Sequence, residues 1–239
     1  MTQSNEPSSP SLYPVFLDLR QKTVLIVGGG NVAARKLARL VETHAKIIVL
    51  SPLCHESTQS LVDSHDHCAW AKRWYSFQAL EEIQPHLVFA CTDDKEVNQN
   101  IVEHCQRLGI WVNSATHGHY PADITIPSAF SVADDLLHIA LTSENKSPVI
   151  TKYFRQQLEA TLNSPSHARL IRLMDALRSY LKETVEEQTQ RHALLETILH
   201  HPQLQAQLEN MALSESALLD WSKQVLNPKI EEILVAVAT

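Results

Sequence analysis

Glycine is scarce in this chain, 5 residues in 239, and three of the five stand together as Gly28-Gly29-Gly30. None follows Gly118. Cysteine is also sparse. Cys54, Cys68, Cys91 and Cys105 form no C-x-x-C pair, which excludes a disulfide-stapled scaffold and fits reduced thiols in the cytoplasm. No apolar run approaches the ~18 residues of a membrane span. Positive charge is in deficit, with 20 Lys and Arg against 27 Asp and Glu, net −7. Nucleic acid is therefore not an expected partner, because phosphate binding needs clustered cations. Residues 1–12 lack the apolar core of a signal peptide and read as a disordered tail.

What is present is alternation. The 44% hydrophobic content is enough for one large core or two smaller ones. From Thr23, short apolar runs ("TVLIVG", "KIIVLS", "AWAKRWY", "HLVFACT", "IWVNSA") recur, and segments of helical spacing follow the first, second and fourth of them. Continuous apolar strands between helices predict a parallel, doubly wound α/β sheet. After Ala115 the rhythm changes. "DITIPSAFSV" and "LLHIALTS", joined by Ala133-Asp134-Asp135, predict an antiparallel β-hairpin, with Pro127 confining its first strand to an edge or a bulge. Beyond Ser147 the spacing is helical, as in Leu170, Leu173, Met174, Leu177, Tyr180 and Leu181. The expected division is a Rossmann-like NAD-binding domain over residues 13–115, a hairpin region over 116–147 and an all-helical domain over 148–239.

The glycine cluster carries the first chemistry. Gly28-x-Gly30-x-x-Ala33 follows a strand and opens a helix, the context that a dinucleotide fingerprint requires. Gly28 permits the tight turn, Gly30 lets backbone approach a pyrophosphate, and Ala33 keeps the helix close to the strand. The helix start offers free N–H groups and a positive dipole end. The fingerprint also expects an acid about 20 residues on, for the ribose hydroxyls. Here the second strand ends Leu50-Ser51-Pro52, with no Arg for a 2′-phosphate either, so NAD is preferred and backbone around Ser51, Pro52 and Leu53 is expected to contact the adenosine. Thr92 and Asp93 lie where the fourth strand ends, at the ligand-binding edge. Thr92 is expected to cap the next helix, with Asp93 and Asp94 in its first turn.

Taken together, "YPVFLDLRQKTVLIVGGGNVAARK", "CTDDKEVNQ", "ITIPS" and "SPVITKYFRQQLE" resemble the precorrin-2 dehydrogenase family, including the dehydrogenase/ferrochelatase part of siroheme synthases. The resemblance runs from about Tyr13 to Glu159 and looks like a stand-alone form, without the methyltransferase part. It implies NAD-dependent oxidation of precorrin-2, a tetrapyrrole, to sirohydrochlorin, with Fe2+ insertion in some members, and a homodimer built through the hairpin region. It also places Asn31, Val32, Pro52 and Leu53 at NAD. For the many substrate carboxylates, Arg35, Lys36, Lys146, Lys152 and Arg155 are the candidate cations.

The chain departs from the family at one telling place. The family carries a catalytic aspartate shortly after the fifth strand, and aligning Asn113 and "IPS" puts Thr116 there. A threonine is no base near neutral pH. His117 is adjacent and could serve, with an unperturbed pKa near ~6.5, and Asp123 is a second carboxylate in the same loop. His117 and His119 around Gly118 also invite a metal reading, but spacing identifies no further ligand, and any metal site stays unknown. A second departure is "TSENKSPV", where the family keeps a glycine-rich turn. Two other readings compete: a divergent homologue that binds a tetrapyrrole or a metal without oxidising it, and a nucleotide-sensing regulatory domain of the potassium-transport type. The latter would end its second strand with an acid, which this chain does not.

Overall fold

The computed structural model describes residues 12–116, 122–144 and 146–238. It forms two compact units, Met1–Ile126 and Pro127–Thr239.

The first unit is a five-stranded parallel sheet of β1 (Thr23–Val27), β2 (Lys46–Leu50), β3 (Cys68–Ala71), β4 (Leu87–Ala90) and β5 (Trp111–Ser114), in the order β3-β2-β1-β4-β5. The central strands have apolar side chains on both faces, so β4 is buried at every position and β1 at all but its first. A parallel sheet covered on both sides demands this. Helices α1 (Asn31–Leu40) and α2 (Glu56–Asp63) cover one face, where Ala33, Leu37 and Leu40 meet Val24, Ile26 and Ile47. Helices α3 (Phe77–Ile83) and α4 (Lys95–Arg107) cover the other, through Leu80, Ile101, Val102 and Cys105. The sheet order reverses between β1 and β4, and in such sheets a crevice opens beyond the carboxyl ends of these strands.

Two details differ from expectation. Helix α3 was not foreseen; it is 7 residues long, and a Ser76 hydroxyl accepting from Ala79 N–H starts it. The first unit also extends past Ala115: Ile124 N–H donates to Val112 O at 3.1 Å, Asn113 Nδ2 donates to Ile124 O at 2.8 Å, and Ile124 and Ile126 pack on the α1 side of the core.

The second unit holds the hairpin of β6 (Ser128–Val132) and β7 (Leu137–Leu141), paired antiparallel. Pro127 stands immediately before β6, outside the ladder. Ala133, Asp134 and Asp135 all take positive φ and turn the chain. Helices α5 (Pro148–Leu162), α6 (Pro165–Thr184), α7 (Gln188–Leu199), α8 (Leu204–Glu209) and α9 (Glu215–Ala238) follow. Leu173, Leu177, Leu181, Ile198, Leu218 and Leu226 form their shared core. The fold class is thus Rossmann-like α/β, then a β-hairpin, then helices. No helix among the described residues is long and apolar enough to cross a membrane.

Candidate active site at the carboxyl edge of the parallel sheet

The glycine loop is locked in place by its neighbours. Gly28 sits at φ 111°, where an added Cβ would lie 2.5 Å from Cys91 O. Its N–H donates to Leu50 O at 2.9 Å, and Cys91 N–H donates to Val27 O at 2.8 Å. Gly29 is equally confined, since a Cβ there would meet Leu53 O at 2.3 Å. Gly30 differs: its Cβ would meet nothing within 4 Å. Two glycines therefore serve the protein's own packing, and the third borders open space.

Two residues that sequence reasoning did not single out set the loop's polarity. His55 N–H donates to Gly29 O at 2.8 Å, and the buried Thr58 hydroxyl bonds Gly29 O at 3.0 Å. In a trans peptide the N–H points opposite its C=O. Holding the Gly29 carbonyl toward α2 thus aims the Gly30 N–H away from it. Gly30 caps α1 without any side-chain hydrogen bond, and the first turn holds no acid. The N–H groups of Gly30, Asn31, Val32 and Ala33 have no acceptor among the described residues. An open, uncapped, positive helix start beside a bare Gly30 fits a dinucleotide diphosphate.

The segment after β2 flanks the loop on one side. Ser51 is nearly buried and its hydroxyl donates to Leu53 O at 2.7 Å. Leu53 is 80% exposed, an apolar surface next to the loop. Pro52 stands between them.

The opposite side is built around Asn98, a third residue that sequence reasoning missed. Its side chain on α4 is fully buried. Oδ1 accepts from Thr92 N–H at 3.0 Å and lies 2.8 Å from the Thr92 hydroxyl. Nδ2 donates to Thr92 O at 2.9 Å and to Thr116 Oγ1 at 3.4 Å. One amide thus ties the loop after β4 to the loop after β5. Asp94, not Thr92, caps α4: Oδ1 accepts from Glu96 N–H at 2.8 Å and Val97 N–H at 3.2 Å. Asp94 wins because its carboxylate lies one residue before the helix, while the Thr92 hydroxyl is taken by Asn98. Asp93 is exposed.

Thr116 therefore stands at the carboxyl edge, with Ser114 Oγ donating to its carbonyl at 2.9 Å. His117 and His119 lie outside the described residues. Asp123 does not join this edge. Its carboxylate accepts from Val112 N–H at 3.3 Å and Gln106 Nε2 at 3.2 Å, toward the start of β5, so it is engaged in holding the chain against the sheet.

Among the candidate cations, Lys36 is the one placed beside the glycine loop with its stem partly buried. Its ammonium lies 5.5 Å from the Phe89 ring centroid. Burial lowers its pKa, opposed by the nearby Cys91 thiol, and no carboxylate pairs with it among the described residues. Arg155 pairs with Glu159 at 2.9 Å and Lys146 with Glu144 at 3.3 Å, both in the second unit. The described residues hold no group of three His, Cys, Asp or Glu able to take a metal ion.

Comparison with known proteins agrees with this geometry. Residues 15–128 match the model of a family described as "Putative NAD(P)-binding". The siroheme synthase of Actinobacillus pleuropneumoniae serotype 3 is 30% identical over 224 residues, 92% of this chain and 44% of the relative. That of Nitrosospira multiformis is 33% identical over 193 residues, 80% of this chain and 40% of the relative. The chain thus spans less than half the length of these curated relatives. Among solved structures, SirC, a precorrin-2 dehydrogenase, has the same fold, with TM-score 0.67, 21% identity, and coverage of 89% of this chain and 100% of that one. The chain is therefore similar to siroheme synthases over part of their length, and its residues 15–128 match a family described as putative NAD(P)-binding.

Proposed function

We propose that the chain oxidises precorrin-2 to sirohydrochlorin in siroheme synthesis. The observation that carries this is the uncapped start of α1 beside the open Gly30, in a homologue of siroheme synthases. NAD+, when bound, supplies the hydride acceptor, and Gly30, Asn31 and Val32 would hold its diphosphate through backbone N–H groups. Ser51, Pro52 and Leu53 would line its adenosine, with Thr92 and Asp93 at the other half. The chain's remaining tasks are to hold the tetrapyrrole carbon against the ring and to remove a proton. Lys36 would meet a substrate carboxylate. Half-buried beside Phe89 and without an acidic partner among the described residues, it is a cation in want of an anion.

For the base we assign His117, the residue after Thr116. The position of Thr116 supports this: Asn98 holds it at the carboxyl edge, where the family's aspartate would stand. Asp123 is left out, because both of its oxygens already bond protein donors. The same base would serve metal insertion, which needs pyrrole nitrogens deprotonated, with Fe2+ entering as a substrate. We also propose a homodimer and a cytoplasmic setting. Helix α5 buries none of its residues and exposes Val149, Ile150, Tyr153 and Phe154, a surface suited to a second copy. The four free cysteines suit a reducing compartment.

The test is anaerobic incubation with precorrin-2 and NAD+. Sirohydrochlorin should appear, and His117→Ala should slow it by ~100-fold or more, the usual scale for a general base. Unaltered turnover in His117→Ala would reject that base. A second reading, tetrapyrrole binding without oxidation, is favoured by one observation, the threonine at position 116. It predicts tight binding and no turnover, and Thr116→Asp would then restore oxidation.

A further inference from the structure

The absence of a basic residue at the end of β2 is made good from the neighbouring strand. Strand β3 pairs with β2 so that Leu50 faces Ala71, and Ser51 N–H donates to Ala71 O at 3.2 Å. The next residue is Lys72, so the sheet register sets it beside Ser51 although 21 positions separate them in sequence. Trp70 fixes its location further. The indole Nε1 donates to Ser51 O at 2.9 Å, and the Lys72 ammonium lies 4.3 Å from the Trp70 ring centroid. The same ammonium acts on the Cys54 thiol, pulling its pKa down against the upward push of burial. Lys72 thus spans the segment assigned to the adenosine.

Its charge is free to meet a ligand. The next cation, Arg73, is engaged by Glu82 at 2.9 Å, whereas no carboxylate pairs with Lys72 among the described residues. Residues 51–55 contain no acid. Sites restricted to NAD keep a carboxylate at the end of the second strand, which binds the ribose hydroxyls and repels a 2′-phosphate. Here the repelling group is missing and a cation stands within reach of the same position.

We propose that Lys72 binds the adenosine 2′-phosphate, so that the chain takes NADP(H) as well as NAD(H). This rests on the dinucleotide reading of the glycine loop and adds its specificity. The full-length chain would be titrated with NADPH and with NADH, following nicotinamide fluorescence at low ionic strength, where an exposed charge pair is least screened. The wild type should bind NADPH at least as tightly as NADH. Lys72→Ala should weaken NADPH by about tenfold, the scale of one charged contact, and leave NADH within about twofold. Lys72→Arg should keep NADPH binding. NADH affinity is the internal control, because damage to the fold would weaken both nucleotides together. A wild type that binds NADH but not NADPH, or a Lys72→Ala chain with unchanged NADPH affinity, overturns the assignment. Failure of both nucleotides to bind the wild type would instead reject the dinucleotide reading itself.

Discussion

Asn98 shows how much of the site a single side chain can organise. Its amide satisfies Thr92 and reaches Thr116, so two loops share one buried anchor. Asn98→Ala strands the Thr92 N–H and C=O without partners, and a buried polar group left unpaired costs about 1–3 kcal/mol. Chemical denaturation should show a loss of that size. The glycines give a sharper contrast. Gly28→Ala meets Cys91 O and a strained φ, so it should lower the thermal midpoint. Gly30→Ala meets nothing within 4 Å at an ordinary φ of −84°. It should fold normally while weakening dinucleotide binding, as read by NADH titration against thermal melting. Equal loss of stability in the two variants would contradict the division of labour in the loop. The fingerprint was legible in sequence because all of its parts fall within six consecutive residues. Thr58 and Asn98 were not, since their partners lie 28 or 29 and up to 18 positions away and a lone Thr or Asn in a helical run carries no signal of what it faces.

At the scale of elements, the helical unit depends on a buried cation. Arg169 on α6 is 7% exposed. Nη1 donates to Leu208 O at 2.7 Å and Asn210 O at 2.9 Å, and Nη2 to Leu213 O at 2.6 Å. These carbonyls lie at and beyond the end of α8, where helix C=O groups lack intrahelical donors. Arg169→Leu removes the donors and leaves the carbonyls buried. It should lower the stability of the helical unit by about 3 kcal/mol or more, with NADH binding unchanged well below the unfolding transition. The strands were readable as unbroken apolar runs, and the hairpin from its two β-rich stretches around Ala133-Asp134-Asp135. Short helices were harder. Helix α3 spans two turns, and α2 begins on a His55 side chain that accepts from Ser57 N–H at 3.2 Å, a cap that residue preferences do not anticipate.

For the whole molecule, the sequence predicts a boundary after Ala115, while the compact units meet after Ile126. The reason is local. Asn113 and Val112 hold the segment of Asp123 and Ile124 against β5, and Ile124 and Ile126 complete the α1-side core. The same pairing draws Asp123 away from the carboxyl edge of the sheet, which spacing alone could not reveal. Global stability should also depend on two buried thiols. Burial raises the pKa of Cys91 from 9.0 to about 11 and of Cys105 to about 12. The unfolded chain releases these protons first, so their contribution is complete below pH 9.0 and is lost as pH rises toward about 11 and 12. Unfolding midpoints should fall across that window, and Cys91→Ser with Cys105→Ala should flatten the decline. In the native state at neutral pH a thiol reagent should react at Cys54 and Cys68, which are partly exposed, well before Cys91 and Cys105.

One measurement bears on the function above all others. The chain would be mixed anaerobically with precorrin-2 in excess over a limiting amount of NAD+, and reduced nicotinamide and sirohydrochlorin would be followed together. Oxidation by hydride transfer predicts that the two products rise in equal amounts and stop when NAD+ is exhausted. Precorrin-2 that binds the protein yet yields no reduced nicotinamide would contradict it, and would make this homologue a tetrapyrrole-binding protein.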